Sequence, residues 1–98
     1  MSMALEYVRT EIKDFDTFAA QRDQFIEALR QRYGSDFRGA YLGRCDDGSG
    51  IVVVLWASRQ IADRVEQDLA DDPTAQAFFA HVTDVHEVRH AEVVHATI

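Results

Sequence analysis

The sequence is poor in basic residues. Ten lysines and arginines, of which Lys13 is the only lysine, stand against seventeen carboxylates, and the formal net charge of the 98 residues is −7 at pH 7. Proteins that bind nucleic acids or anionic membranes usually present a basic surface that neutralises phosphate groups. The scarcity of basic charge therefore predicts that neither nucleic acid nor a membrane is a partner of this protein.

Cysteines, secretory signals and long apolar runs are also scarce or absent. Cys45 is the only cysteine, so no disulfide can form within the chain and the fold needs no oxidising compartment. The longest apolar run, 51–57, is much shorter than the ~20 residues that a membrane-spanning helix needs. The first residues lack the basic segment and apolar core of a secretory signal. We therefore expect a cytoplasmic location.

Asparagine is missing altogether, and proline and tryptophan occur once each, as Pro73 and Trp56. The chain contains no internal repeat and no stretch with the composition of a linker. Its hydrophobic fraction of 47% and charged fraction of 28% are those of an ordinary globular protein. The chain is long enough for one hydrophobic core, and we expect residues 1–98 to form a single domain.

The clearest structural signal is a β-hairpin in the middle of the chain. Gly48-Ser49-Gly50 follows two aspartates and precedes a β-branched run. Asp-Gly and Ser-Gly supply the positive φ angles of a tight reversal, so strands are predicted on both sides of it. The four predicted strands cover residues 4–12, 37–45, 51–57 and 86–98.

Helical patterns flank this hairpin. Aromatic and aliphatic residues recur at helical spacing over 15–33, and Gly34 suits the left-handed residue that ends a helix. Ser58 is the predicted N-terminal cap of a second helix. This helix is predicted to end before Pro73, because the residue before a proline avoids the helical region. Asp72 as cap and Pro73 as first residue then begin a short third helix. The resulting order, β-α-β-β-α-β, predicts a ferredoxin-like α+β protomer with an antiparallel sheet and helices on one face.

The third strand is apolar on both faces. Ile51, Val53 and Leu55 point one way, whereas Val52, Val54 and Trp56 point the other. Such a strand is buried on both sides, but helices from one short chain cover only one face of the sheet. A second copy of the sheet is the simplest cover, and twofold pairing is the commonest arrangement. We therefore predict a homodimer with its two sheets packed together.

Further features carry a resemblance to a known family. Leu55-Trp56-Ala57-Ser58 ends a strand directly before a helix, Asp72-Pro73 breaks that helix, and Phe78-Phe79-Ala80-His81 leads into the last strand. With the hairpin, these features resemble the antibiotic biosynthesis monooxygenase-like group over nearly the whole chain. The resemblance implies a dimeric α+β barrel with a ligand pocket between each sheet and its own helices. Some members oxygenate electron-rich polycyclic or quinol substrates without metal or flavin, others degrade haem, and many have no assigned activity.

The resemblance also assigns candidate site residues. Trp56 matches the tryptophan of the family, and His81 resembles the helix histidine that ligates iron in the haem-degrading branch. That branch also has a strand-one asparagine and a second tryptophan, which this sequence lacks, and the oxygenases compared have an asparagine where Val52 stands, four residues before Trp56. Both catalytic patterns are therefore incomplete, and a shared fold does not by itself imply shared chemistry.

The predicted site is an apolar pocket for an aromatic or other hydrophobic small molecule. His81 is the candidate for proton transfer, and no metal or other cofactor is expected. The residues predicted to contact the substrate are Trp56, Tyr41, Phe78 and Phe79. For two of these residues a plain structural interpretation stays open: His81 can pack at a helix end, and Trp56 can fill the core.

One sequence motif matches that of zinc proteases and would indicate a different chemistry. His86-Glu87-Val88-Arg89-His90 has the H-E-x-x-H pattern of zinc proteases, whose two histidines lie one helical turn apart. This segment is rich in valine and is predicted to be a strand, where the two Cα atoms lie ~13 Å apart, too far to share one ion. We expect no zinc there.

Two functions from different classes follow from the sequence. The first is a cofactor-independent monooxygenase that acts on an aromatic or quinol-type small molecule. The alternative is a non-catalytic ligand-binding or assembly module with the same dimeric barrel fold, which the missing asparagine favours.

Overall fold

The computed structural model describes residues 2–97, and their architecture is the predicted one. Four strands form one antiparallel sheet in the order β2-β3-β1-β4, which confirms the ferredoxin-like α+β fold. None of the helices within the described residues combines the length and hydrophobicity needed to cross a bilayer. The elements in chain order are β1 (Ala4–Ile12), α1 (Phe15–Tyr33), a short 3-10 turn (Gly34–Asp36), β2 (Phe37–Arg44), β3 (Gly50–Trp56), α2 (Arg59–Ala70), α3 (Pro73–Phe79) and β4 (Val82–Glu92).

The hairpin between β2 and β3 is built largely as predicted. Gly48 has φ 89°, and the carboxylate of Asp47 accepts hydrogen bonds from the backbone N–H and the hydroxyl of Ser49 at 2.9 and 2.6 Å. These hydrogen bonds lower the pKa of Asp47. The prediction of a positive φ at Gly50 was wrong: a Cβ there would collide with the Ile12 side chain. Gly50 therefore permits close packing rather than an unusual backbone angle.

The helix boundaries follow the predicted signals. The N–H of Gly34, which has φ 57°, donates to the carbonyl of Arg30 at the end of α1. Ser58 Oγ accepts from the backbone N–H of Ile61 at the start of α2. The Asp72 carboxylate accepts from the N–H of Thr74, with a proline in the first turn of α3. Each cap satisfies a backbone group that a helix end leaves without a partner.

The last strand differs from its prediction. It begins at Val82 rather than His86, and it ends at Glu92, whereas position 98 of the predicted strand lies outside the described residues. The partner of β4 is β1, which starts at Ala4, opposite Glu92. One more backbone hydrogen bond, from the N–H of Val93 to the carbonyl of Met3, follows the paired strands, and residues 93–97 are not part of the sheet.

The two faces of the sheet have different surroundings. Trp56, Ala4 and Phe37 lie on the face that packs against α1 and α2, where they form the core with Leu29, Ala62 and Val65. We call this face the helix side. Because side chains alternate along a strand, the opposite face carries an apolar patch that no element of residues 2–97 covers. This open face comprises Leu5, Tyr7, Tyr41, Ile51, Val53 and Leu55.

Candidate functional site

Trp56 is part of the hydrophobic core. Only 3% of its surface is exposed, and its indole packs edge-on against Tyr33 and Phe37 at centroid distances of 5.6 and 5.5 Å. It lines neither of the two cavities described below. The geometry therefore agrees with the plain structural interpretation of this residue.

Tyr33 joins this aromatic cluster to α2. Its hydroxyl donates a hydrogen bond of 2.7 Å to the carboxylate of Asp68. Loss of hydration raises the pKa of Tyr33 to about 12, with a further contribution from this hydrogen bond. The folded state thus favours the neutral phenol.

We expect the protein to lose stability at alkaline pH in a way that depends on Tyr33. An unfolded tyrosine has a pKa near 10, so the contribution of the phenol is complete below about pH 10 and is lost as the pH rises towards about 12. Urea unfolding monitored across this range should show a steeper decline for the wild type than for Tyr33→Phe. Equal slopes would contradict the assignment.

The first cavity lies between α1 and the α2–α3 segment and has a volume of about 430 Å³. We call it the helical groove. The ring of Phe78 stacks between those of Phe18 and Phe25, at 4.6 Å from each. Half of the residues that line the groove are apolar and half carry polar or charged groups: Gln21, Gln24, Phe25, Ala28, Leu29, Arg32, Leu69, Asp72, Thr74, Ala77, Phe78 and His81.

His81 lies at one end of the helical groove. Its Nε2 is 3.0 Å from Oε1 of Gln21, and its ring meets Phe18 edge-on at 6.2 Å. The imidazole is half-buried and has a neutral amide as its side-chain partner. It can therefore exchange a proton with a ligand in the groove, but no carboxylate in this contact fixes its orientation.

The structure does not bring all of the predicted site residues together. Phe78 and His81 share the helical groove, whereas Phe79 is 43% exposed and packs against Phe25 and Phe78 from outside it. Tyr41 is 68% exposed and lies on the open face, opposite Val53. A register shift between Phe37 and Gly39 moves Tyr41 to that face. Within one protomer Tyr41 is therefore separated by the sheet from the helices.

The second cavity lies beside the start of α2 and the paired ends of β1 and β4. Its volume is about 590 Å³, and we call it the strand cleft. One imidazole in its wall has an acidic partner: Nε2 of His90 is 3.3 Å from Oε2 of Glu6, and the two side chains are 23% and 27% exposed. The cleft is lined by Ser2, Met3, Ala4, Ser58, Arg59, Gln60, His90, Ala91 and Glu92.

The literal zinc-protease pattern lies in a strand, as predicted. His86 and His90 both belong to β4, and each contacts a different carboxylate on β1, namely Glu11 at 2.9 Å and Glu6 at 3.3 Å. Within residues 2–97, no three or more histidine, cysteine or acidic side chains are grouped so that they could hold a metal ion. The expectation that these histidines bind no zinc stays a prediction.

Arg22 is a partly buried cation that the sequence analysis missed. It lies on the sheet-facing stripe of α1 that also carries Phe18 and Leu29. One terminal nitrogen is buried without a hydrogen-bond partner among the described residues, and loss of hydration lowers the pKa of its guanidinium. Arg22 follows Phe18 by four residues, and residues i and i+4 lie on the same face of a helix. This spacing was the signal that placed Arg22 on the sheet-facing side of α1.

Solved structures share this architecture, although no protein-family model matches the sequence and no curated protein is a significant match. A dimeric ferredoxin-like protein from an uncultured marine organism aligns over 100% of this chain and 93% of its own, with TM-score 0.68 and 12% identity. A putative antibiotic biosynthesis monooxygenase from Bordetella bronchiseptica aligns over 96% and 99%, with TM-score 0.65 and 20% identity. Another, from Chloroflexus aurantiacus J-10-fl, aligns over 98% and 97%, with TM-score 0.60 and 14% identity. The chain therefore has the ferredoxin-like fold of proteins described as antibiotic biosynthesis monooxygenases, as the sequence resemblance implied.

Proposed function

We propose that this protein binds an aromatic or quinol-type small molecule and oxygenates it with molecular oxygen. The observation that carries the proposal is the helical groove, which combines a wall of stacked aromatic rings with the half-buried imidazole of His81 at one end. Ligand sites are mostly apolar with a few polar groups that fix orientation. The fold shared with the monooxygenase-like structures supports the same class of activity.

The chemistry requires a base and an electron-rich substrate. With an anthrone, His81 would accept a proton from the activated CH₂ group, and the resulting carbanion would reduce molecular oxygen. One oxygen atom becomes the carbonyl oxygen of the product quinone and the other leaves as water, so the four electrons lost by the carbon reduce O₂ completely. Phe78 would position the ring system by stacking, and Trp56 would support the helices that form the groove.

We also propose that the functional unit is a homodimer. The open face carries Ile51, Val53 and Leu55 beside Tyr41, which is 68% exposed. An apolar sheet face of this kind is stabilised when a second sheet covers it. A second copy of this chain supplies such a sheet through a twofold axis, and the dimeric ferredoxin-like structure supports a dimer of this fold.

The alternative, a non-catalytic ligand-binding or assembly module, is favoured by one specific observation. Val52 lies on the helix side, opposite Leu42 and Val8. It stands at the position where the oxygenases that this sequence resembles have an asparagine. An apolar side chain cannot supply the hydrogen bonds of an amide to a reacting anion.

Oxygen uptake distinguishes the two functions. We expect the wild-type protein to consume oxygen with members of a panel of anthrones and quinols, forming one quinone per O₂ with the anthrones, and His81→Ala to lower kcat by about 10²-fold because it removes the base. His95→Ala is the matched control, since His95 contacts Thr97 in the C-terminal segment. Saturable binding of these compounds without oxygen uptake would favour the non-catalytic module. Equal rates in the His81→Ala protein would exclude His81 as the base.

A further inference from the structure

We infer that Glu6 and His90 form a carboxylate–imidazole pair that accepts a proton from a weakly acidic ligand, a phenol or quinol, in the strand cleft. This inference goes beyond the proposed function and rests on it only for the class of ligand. It assigns a second proton acceptor, in addition to His81 in the helical groove, to a residue on β4.

The register of β1 and β4 places the two side chains together. Glu6 is directly opposite His90, and Glu6 points to the helix side because it follows the core residue Ala4 by two positions. The contact from Nε2 of His90 to Oε2 of Glu6 is 3.3 Å, and less than a third of either side chain is exposed. Glu6 thus holds the ring when Nε2 carries the proton, and the lone pair of Nδ1 is then the acceptor.

His90 is the one histidine of the four that combines an acidic partner with a cavity wall. The contact of His81 is with the neutral amide of Gln21. His86 contacts Glu11 but lines neither cavity, and His95 contacts the hydroxyl of Thr97. A base oriented by a third group is the arrangement that proton-transfer sites share.

The strand cleft also contains positive charge that can face an anion once the proton has left. Arg59 lines it and is the first residue of α2, a 12-residue helix whose N-terminal end carries partial positive charge. The Arg59 guanidinium also pairs with Asp63 at 2.8 Å, and Glu92 contributes the opposing negative charge to the lining. The proton moves to Nδ1 of His90 and the electron pair stays on the ligand oxygen, so no other bond forms or breaks.

Absorbance of 4-nitrophenol tests this inference without any turnover, because the phenolate and the phenol absorb at different wavelengths. At one fixed, near-neutral pH, we expect the wild-type protein to increase the phenolate absorbance saturably. His90→Gln should reduce this increase by about tenfold or more, because it removes the acceptor. His86→Gln, on the same strand and also next to a carboxylate, should match the wild type.

Glu6→Gln tests the positioning role of the carboxylate and serves as the second variant if His90→Gln does not fold. Nitrogen-15 spectra of the His90 ring should show one tautomer in the wild type and a mixture in Glu6→Gln, together with a smaller phenolate signal. An unchanged phenolate signal in His90→Gln, its loss in His86→Gln, or no saturable signal in the wild type would overturn the inference. These outcomes leave the oxygenase proposal standing, whereas a phenolate signal without oxygen uptake would contradict only the oxygenase proposal.

Discussion

Val53→Asp should yield a folded monomer. Val53 lies in the middle of the open face, between Tyr7 on β1 and Tyr41 on β2. Pairing of two sheets would bury one aspartate from each copy in an apolar interface, and an unpaired charge in such surroundings costs several kcal/mol. In the monomer the same carboxylate stays hydrated. Light scattering at micromolar concentration should give about twice the chain mass of 11.1 kDa for the wild type and the single mass for the variant.

The neighbouring position provides the matched comparison. Val54 lies on the helix side and packs against the core, so Val54→Asp should unfold the protomer rather than separate two folded ones. Gln31→Glu adds a negative charge on the exposed surface of α1 and should leave the mass unchanged. A wild-type protein that is monomeric, or a Val53→Asp protein that stays dimeric, would contradict pairing through the open face.

Trp56→Ala should be among the most destabilising single substitutions. The side chain is 3% exposed and contacts Tyr33 and Phe37. Replacing a buried tryptophan by alanine removes its burial energy and leaves a cavity, at a total cost of about 3–5 kcal/mol. Trp56→Phe keeps an aromatic ring and should lose less.

Urea unfolding followed by far-ultraviolet circular dichroism measures this loss, since the variant has no tryptophan fluorescence. Protein concentration must be the same in all samples because the stability of a dimer depends on it. Val94→Ala is the control: Val94 is 85% exposed, and substitutions at such positions usually change stability by less than about 0.5 kcal/mol. A loss below about 1 kcal/mol for Trp56→Ala would argue that Trp56 borders a cavity instead of filling the core.

Most of the fold could be predicted because its signals are local. The ends of α1 at Phe15 and Tyr33 and the break at Pro73 depend on residues within a few positions of each boundary. The limits of β4 could not be predicted in this way. The limits of β4 depend on where its partner strand β1 begins, at Ala4. The sequence of one strand does not indicate with which residues of the other it pairs.

The candidate site was less predictable because it depends on register. Tyr41 would share a face with Phe37 in a regular strand, but the shift at Gly39 turns it to the open face. Glu6 and His90 are 84 positions apart in sequence, and only the alignment of β1 with β4 places them together. Local patterns predicted four strands in the correct order but did not predict which side chains meet across them.

The central claim is that a quinol-type ligand binds on the helix side of each protomer while the open face pairs with a second copy. A titration with 1,4-dihydroxynaphthalene without oxygen, followed by protein-observed nuclear magnetic resonance, tests the first part directly. We predict saturable shifts of Phe78, His81 and His90, with Tyr41 and Val53 unchanged. Shifts centred on Tyr41 and Val53, or no saturable shift on the helix side, would contradict the account.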